Sequence, residues 1–250
     1  MDHTEEVDTV ELDFQVQSVF AKSCTMKKLP ANAQKAYTSR GASTRQRIVD
    51  ATVSLTYAKG VEATSLDDVR AAAGVSKSQL YHYFADKDAL VREVISAQAA
   101  HVLEAQGTAL TQIDSLAALR RWCDCILVLN RGAPNGGCPI GSLASELANK
   151  SEQARALLVA GFNSWEDHLA DGFAKMQESG ELERSAVPRD LAIGVLCAAQ
   201  GGLLLAKTSR SEGPLKVALD MAFDHVATQS RSLSGSSPSG ASTSTKKRPR

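Results

Sequence analysis

The chain has 250 residues, 43% of them hydrophobic, and its 28 basic and 28 acidic side chains cancel to no net charge. That is enough apolar material for one or two buried cores, whereas no apolar run is expected to span a bilayer and no N-terminal stretch reads as a secretion signal. The five scattered cysteines make no paired framework, which points to free thiols in a reducing cytoplasm rather than to a secreted protein.

The distribution of charge says more than its sum. Residues 1–13 carry only acids (Asp2, Glu5, Glu6, Asp8, Glu11, Asp13), and no further acid occurs until Asp50, while Lys22, Lys27, Lys28, Lys35, Arg40, Arg45 and Arg47 accumulate. Residues 1–40 therefore read as a flexible extension, acidic then basic. Such an arm either follows phosphates beside a DNA-binding module or has no role, and translation starts at Met1 or at Met26.

A first helix is predicted from Thr44 to Lys59, opened by a Ser43/Gln46 capping box, with Ile48, Ala51, Leu55 and Ala58 on one face and a stop at Gly60. Two short helices follow. Ser65 caps one with Asp68 three residues on, Ser76 caps the next with Gln79 in the same relation, and Gly74 supplies the backbone freedom on which the first can end. At about 100° per residue, Leu80, Tyr83 and Phe84 face inward while Lys77, Ser78, Tyr81 and His82 face outward. A lysine meets phosphate or guanine acceptors, a serine permits close approach, and a tyrosine offers both ring and hydroxyl. An outward face of this kind suits a major groove better than bulk solvent, so residues 66–85 read as a DNA-binding helix-turn-helix.

From Asp86 onward the pattern stays helical, without internal repeat or strand alternation. Predicted helices run from Lys87 past His101, from Ser115 to Leu129, from Pro139 through GSLASELA, from Glu152 to Ser179, from Pro188 to Lys207 and from Pro214 to Thr228. Trp122, Leu129, Phe162, Trp165, Phe173 and Met176 put aromatic and flexible apolar groups on the middle helices, with Gln200 and His168 as polar anchors; they line a ligand pocket or simply fill a core. Cys138, before Pro139 at a helix start, is either a reactive thiol favoured by the helix N-terminus or a small buried residue. In the last two helices Leu191, Val195, Leu196, Leu203 and Leu204 alternate with Gly194, Gly201 and Gly202, which fits both a dimer seam and an intrachain core. Residues 230–250, rich in Ser, Gly, Thr and Pro and ending KKRPR, read as a disordered basic tail.

No cofactor motif and no metal site is expected. The five histidines lack ligand spacing, and Cys123 and Cys125 diverge by about 200° on one helix. A Cys138/His168 nucleophilic pair is the one enzymatic arrangement that the sequence leaves open.

The stretch from Thr44 to Leu90, with TSLDDVRAAAGVSK, LYHYF and DKDAL in order, resembles the N-terminal domain of the TetR/AcrR transcriptional regulators. The resemblance implies an all-α fold: an N-terminal three-helix helix-turn-helix DNA-binding domain (residues 41–92) and a C-terminal helical ligand-binding and dimerisation domain (residues 93–229). It further implies that Thr64, Ser65, Lys77, Ser78, Tyr81, His82, Tyr83 and Lys87 approach the operator. The last two helices would pair with those of a second copy, giving a homodimer on a near-palindromic double-stranded operator. A small apolar or aromatic inducer would enter a pocket formed among Trp122, Leu129, Cys138, Phe162, Trp165, Phe173, Met176 and Gln200. Together these features describe a non-enzymatic repressor released by its ligand, with a thiol-based sensor acting through Cys138 as the alternative within the same fold.

Overall fold

The computed structural model describes residues 38–133 and 136–230, which form nine α-helices and no strand among them. The arm through residue 37, the Met26 start and the tail beyond residue 230 lie outside the described residues. In chain order the helices are α1 (Ser39–Lys59), α2 (Leu66–Ala73), α3 (Lys77–Tyr83), α4 (Lys87–Thr111), α5 (Leu116–Gly132), α6 (Pro139–Leu147), α7 (Glu152–Glu178), α8 (Pro188–Ser209) and α9 (Gly213–Thr228).

Helix α1 begins earlier than the Thr44 start expected. Thr38 is the N-cap, its hydroxyl accepting from the Gly41 amide at 3.2 Å. The Ser43/Gln46 box does not form, because the Gln46 amide donates forward to Asp50 Oδ1 at 2.8 Å, leaving Ser43 inside the helix. Helix α4 departs from regularity at Gly107, whose φ of 51° and ψ of −132° interrupt the ladder near its far end. Glycine tolerates that backbone; a residue with a Cβ does so at a cost.

Two cores organise the bundle. Ile48, Val49, Val69, Leu80, Phe84 and Leu90 close a small one under α1–α3. Trp122, Trp165, Leu169, Phe173 and Met176 anchor a large one among α4–α9. Helix α4 serves both: Leu90 and Ala97 pack into the first, Val91, Val94 and Ile95 into the second. The expected division at residue 92 therefore falls within a continuous helix.

Helices α8 and α9 pack so closely that a Cβ at Gly202 would lie 2.9 Å from Leu215 Cα. Contrary to expectation, α8 is long and apolar enough to cross a membrane by length and composition, since the run from Leu191 to Ala206 contains no charged side chain. Its inner face, with Leu191, Val195, Ala199 and Leu203, is buried in the large core. The outer face exposes Leu204 and Leu205 beside Gly194, Cys197 and Gly201, and α9 adds exposed Val217 and Met221.

Candidate DNA-binding face and effector cavity

Both short helices start as their sequence dictates. The Asp68 amide donates to Ser65 Oγ at 3.1 Å and the Ser65 amide to Asp68 Oδ2 at 3.0 Å. The Ser76/Gln79 pair repeats the arrangement at 2.9 and 3.2 Å. Between them Gly74 adopts φ 63° and ψ 42°, the left-handed conformation in which α2 ends and the chain turns into α3. Leu80 and Phe84 are buried in the small core, which fixes the rotation of α3 and turns Lys77, Ser78, Tyr81 and His82 outward. Tyr81 is 46% exposed, a large ring held at the surface of the shortest helix.

The remaining expected contacts divide. Ser65 is exposed but its hydroxyl is occupied as a cap. Lys87 is half-buried, with Nζ 3.4 Å from the Glu62 carbonyl oxygen. Tyr83 is half-buried against the small core, edge-on to the His82 ring with centroids 5.0 Å apart. Thr64 departs from expectation: it is 2% exposed, and its hydroxyl donates to the Gly60 carbonyl at 2.7 Å. It holds the turn after α1 rather than presenting itself to phosphate.

A cavity of about 450 Å³ lies between the two parts of the molecule. Of the residues expected in a pocket, Leu129, Cys138 and Trp165 come together on its wall. Trp122, Phe173 and Met176 are fully buried in the core; the Trp122 indole N–H donates to Gln106 Oε1 at 2.7 Å. Phe162 is half-buried against the same core. Gln200 sits behind Cys138, with its Oε1 close to Gly141, and is not part of the wall. These side chains had the composition of a pocket but lie on helix faces turned into the bundle centre.

The wall also holds residues that the pattern did not single out. Val53, Ser54, Tyr57 and Ala58 come from α1, and Gln98 and His101 from α4. Tyr57 reaches across to donate its hydroxyl to the Gly136 carbonyl at 3.2 Å. The one local signal was Gln98, an amide set among Val94, Ile95 and Ala97 on an otherwise apolar stretch.

Cys138 is the N-cap of α6, its Sγ accepting from the Gly141 amide at 3.4 Å. Burial opposes the helix-terminus effect: it pushes the Cys138 thiol up, outweighing the Gly141 contact.

Polar links tie α1 and the following turn to the body. Glu146 Oε2 accepts from the Val61 amide at 2.8 Å, and Lys150 pairs with Glu62 at 2.9 Å. Arg45 pairs with Glu93 at 2.7 Å while its guanidinium stacks over the Phe84 ring. Gly60 is favoured by its backbone at φ 84°, and a Cβ there would sit 3.1 Å from the Glu146 carboxylate, a tight contact that the side chain would have to yield slightly to admit.

The arrangement of a doubly capped reading helix on a three-helix head, followed by a helical body, has matches among known proteins. Residues 48–94 match the family model "Bacterial regulatory proteins, tetR family", and residues 115–221 match "Transcriptional regulator LmrA/YxaF-like, C-terminal domain". The chain belongs to the TetR/AcrR family of transcriptional regulators. Similar TetR-type proteins include the HTH-type transcriptional repressor DhaR of Mycobacterium sp. (strain GP1), 25% identical with 77% of this chain and 97% of that protein covered. The uncharacterized HTH-type regulator YxaF of Bacillus subtilis (strain 168) is 29% identical, with coverage of 71% and 92%. A TetR regulator from Chloroflexus aurantiacus J-10-FL shares the fold with a TM-score of 0.69 at 22% identity, covering 78% of this chain and 99% of its own. The relatives and the fold of this TetR/AcrR protein are those of transcriptional regulators, not of enzymes.

Proposed function

We propose that the protein is a homodimeric repressor, acting in the bacterial cytoplasm, that leaves a near-palindromic operator when a small molecule fills the cavity between head and body. In this reading the head (residues 41–92) contacts DNA, and the body (residues 93–229) binds the ligand and dimerises. The observation that carries the proposal is that Val53, Ser54 and Tyr57 of α1 form part of the cavity wall while Ile48 and Val49, about one turn earlier on the same helix, pack into the small core that holds the reading helix. An occupant therefore touches the element on which the angle of α3 depends. Repression is supported by the likeness to DhaR, which is named a repressor.

Lys77, Ser78, Tyr81 and His82 would enter the major groove, with Ser65, Tyr83 and Lys87 at its edge. Two copies related by a two-fold axis would place their α3 helices one DNA turn apart, about 34 Å. The exposed apolar strip of Leu204, Leu205, Val217 and Met221 supports a partner copy on α8 and α9, where Gly194 and Gly201 leave open space for close approach. Ligand would act by favouring a conformer with wrongly spaced reading helices, which is a shift of populations. The burial that raises the Cys138 thiol favours this ligand-based reading over a thiol sensor.

The test is a gel shift of the full chain on fragments flanking its own gene at two salt concentrations, followed by a screen for small molecules that release the bound fragment. A saturable shift on one near-palindromic fragment, lost in Tyr81→Ala and released by a cavity-filling compound, is expected. Only diffuse, salt-erased binding, or an operator complex that no compound releases, would overturn the reading. Sedimentation of Leu204→Glu should show a monomer where the parent sediments as a dimer.

A further inference from the structure

The chemistry of the cavity wall narrows what can fill it. None of its described residues is Lys, Arg, Asp or Glu; it is built from apolar side chains, the amides of Gln98, Gln106 and Asn130, and a few other polar groups. Apart from the His101 imidazole, an ion entering it would leave water for a site with no group of fixed opposite charge, which is unfavourable.

The three amides are not equivalent. Gln106 is used up inside the protein: its Oε1 accepts from Trp122 and its Nε2 donates to the Val102 carbonyl. Asn130 Oδ1 accepts from the Gly137 amide at 3.0 Å. Gln98 is 5% exposed, lies on the wall, and makes no hydrogen bond to any described residue. Trp165, on the same wall, has a buried indole N–H without an acceptor. Polar groups hidden from bulk water are almost always satisfied, so the Gln98 amide, whose own atoms reach the cavity space, takes its hydrogen bonds from water or from an occupant. A pure hydrocarbon would take water from that amide and return nothing, which costs affinity.

We propose that the cavity seats an uncharged, mainly apolar molecule whose polar end is a neutral amide or ketone carbonyl held by the Gln98 carboxamide. This rests on the ligand-responsive reading above and gives it a ligand chemistry. The carbonyl oxygen accepts from Gln98 Nε2, an amide N–H on the ligand donates to Gln98 Oε1, and the apolar remainder lies along Val53, Ile126 and Leu129. The volume of about 450 Å³ falls in the range of small-molecule sites and holds a two-ring compound with room to spare.

Three probes of nearly equal shape test this on the full chain by calorimetry: 2-naphthamide, 2-naphthoate and 2-ethylnaphthalene. The amide should bind about tenfold more tightly than either of the others. In Gln98→Leu that preference should vanish while 2-ethylnaphthalene still binds, showing that the cavity itself survives. The proposal is overturned if the carboxylate equals or beats the amide, if the preference persists in Gln98→Leu, or if no probe binds the parent. Gel shifts with the same compounds separate the two levels of the argument. Gln98-dependent amide binding that never releases an operator would support this inference and sink the ligand-responsive reading. Release by the amide that Gln98→Leu leaves unchanged would do the reverse.

Discussion

The head and the body put functional side chains in opposite places. In the head they stand outside on a short helix whose rotation is fixed by two buried residues, Leu80 and Phe84. In the body they line a space closed by α1, α4, α5, α7, α8 and the segment leading into α6, and much of their surface is hidden. A groove-reading surface can be specified within twenty consecutive residues, whereas a cavity exists only after distant segments meet. The two should therefore respond differently to mutation: the outward reading side chains of the head should lose function without losing stability, and the buried rings of the body should lose both together.

The largest expected effect is in the body. Trp122→Ala removes a fully buried ring and leaves Gln106 Oε1 without its donor, so unfolding in urea should show a loss of about 3–5 kcal/mol. A loss below about 1 kcal/mol would show that the core is far less closely packed than the structure indicates. In the head, Tyr81→Ala and Lys77→Ala should each weaken operator binding by about 1–3 kcal/mol while unfolding stays within about 0.5 kcal/mol of the parent. A stability change matching the binding loss would erase the contrast. Salt titration sharpens it further: Lys77→Ala should lower the salt slope by about one if the lysine meets phosphate, and leave the slope intact while relaxing sequence preference if it meets a base.

A smaller effect is expected from Ser76→Ala, which removes the α3 cap and should cost about 1 kcal/mol in stability, with a share of that in operator affinity. The smallest is a pH effect at Asp68. The Lys59 ammonium, bonded at 2.8 Å, and then the Ser65 amide hold its carboxyl well below the usual aspartate range. Because the folded value is depressed, the contribution is present above the ordinary aspartate pKa and is lost as pH falls toward the folded value. Acid unfolding of Asp68→Asn should show a slightly shallower pH dependence than the parent, and an unchanged profile would remove Asp68 from the acid response.

The same contrast explains what could be read from sequence. The α2–α3 unit was legible in full because capping boxes, the Gly74 turn and the inward Leu80/Phe84 pair act within a few residues of one another. Helix existence was legible almost everywhere for the same reason. The start of α1 was not, since Gln46 had two partners within reach and the choice of Asp50 over Ser43 depends on competing geometry. Thr64 looked like a helix-start contact, yet its neighbours fold the hydroxyl back onto Gly60. Among the pocket residues, an aromatic ring that packs and one that lines a void have identical local surroundings in sequence. Trp165 and Trp122 differ only in where their helices meet others. The α1 part of the wall was missed because its residues lie forty or more positions from the nearest other contributor to that wall.

The bond from the Val61 amide to Glu146 limits how freely parts can be exchanged between regulators of this kind. A head moved onto a foreign body keeps its caps, its small core and its reading face. At the end of α1, however, it carries a buried-side amide that needs a carboxylate from the other half, beside a glycine shaped to admit it. A recipient without an acid at the position of Glu146 would receive a head that folds but hangs loosely, bound to DNA yet indifferent to what fills the body. Transplanting Glu146 along with the head is the repair that the geometry specifies.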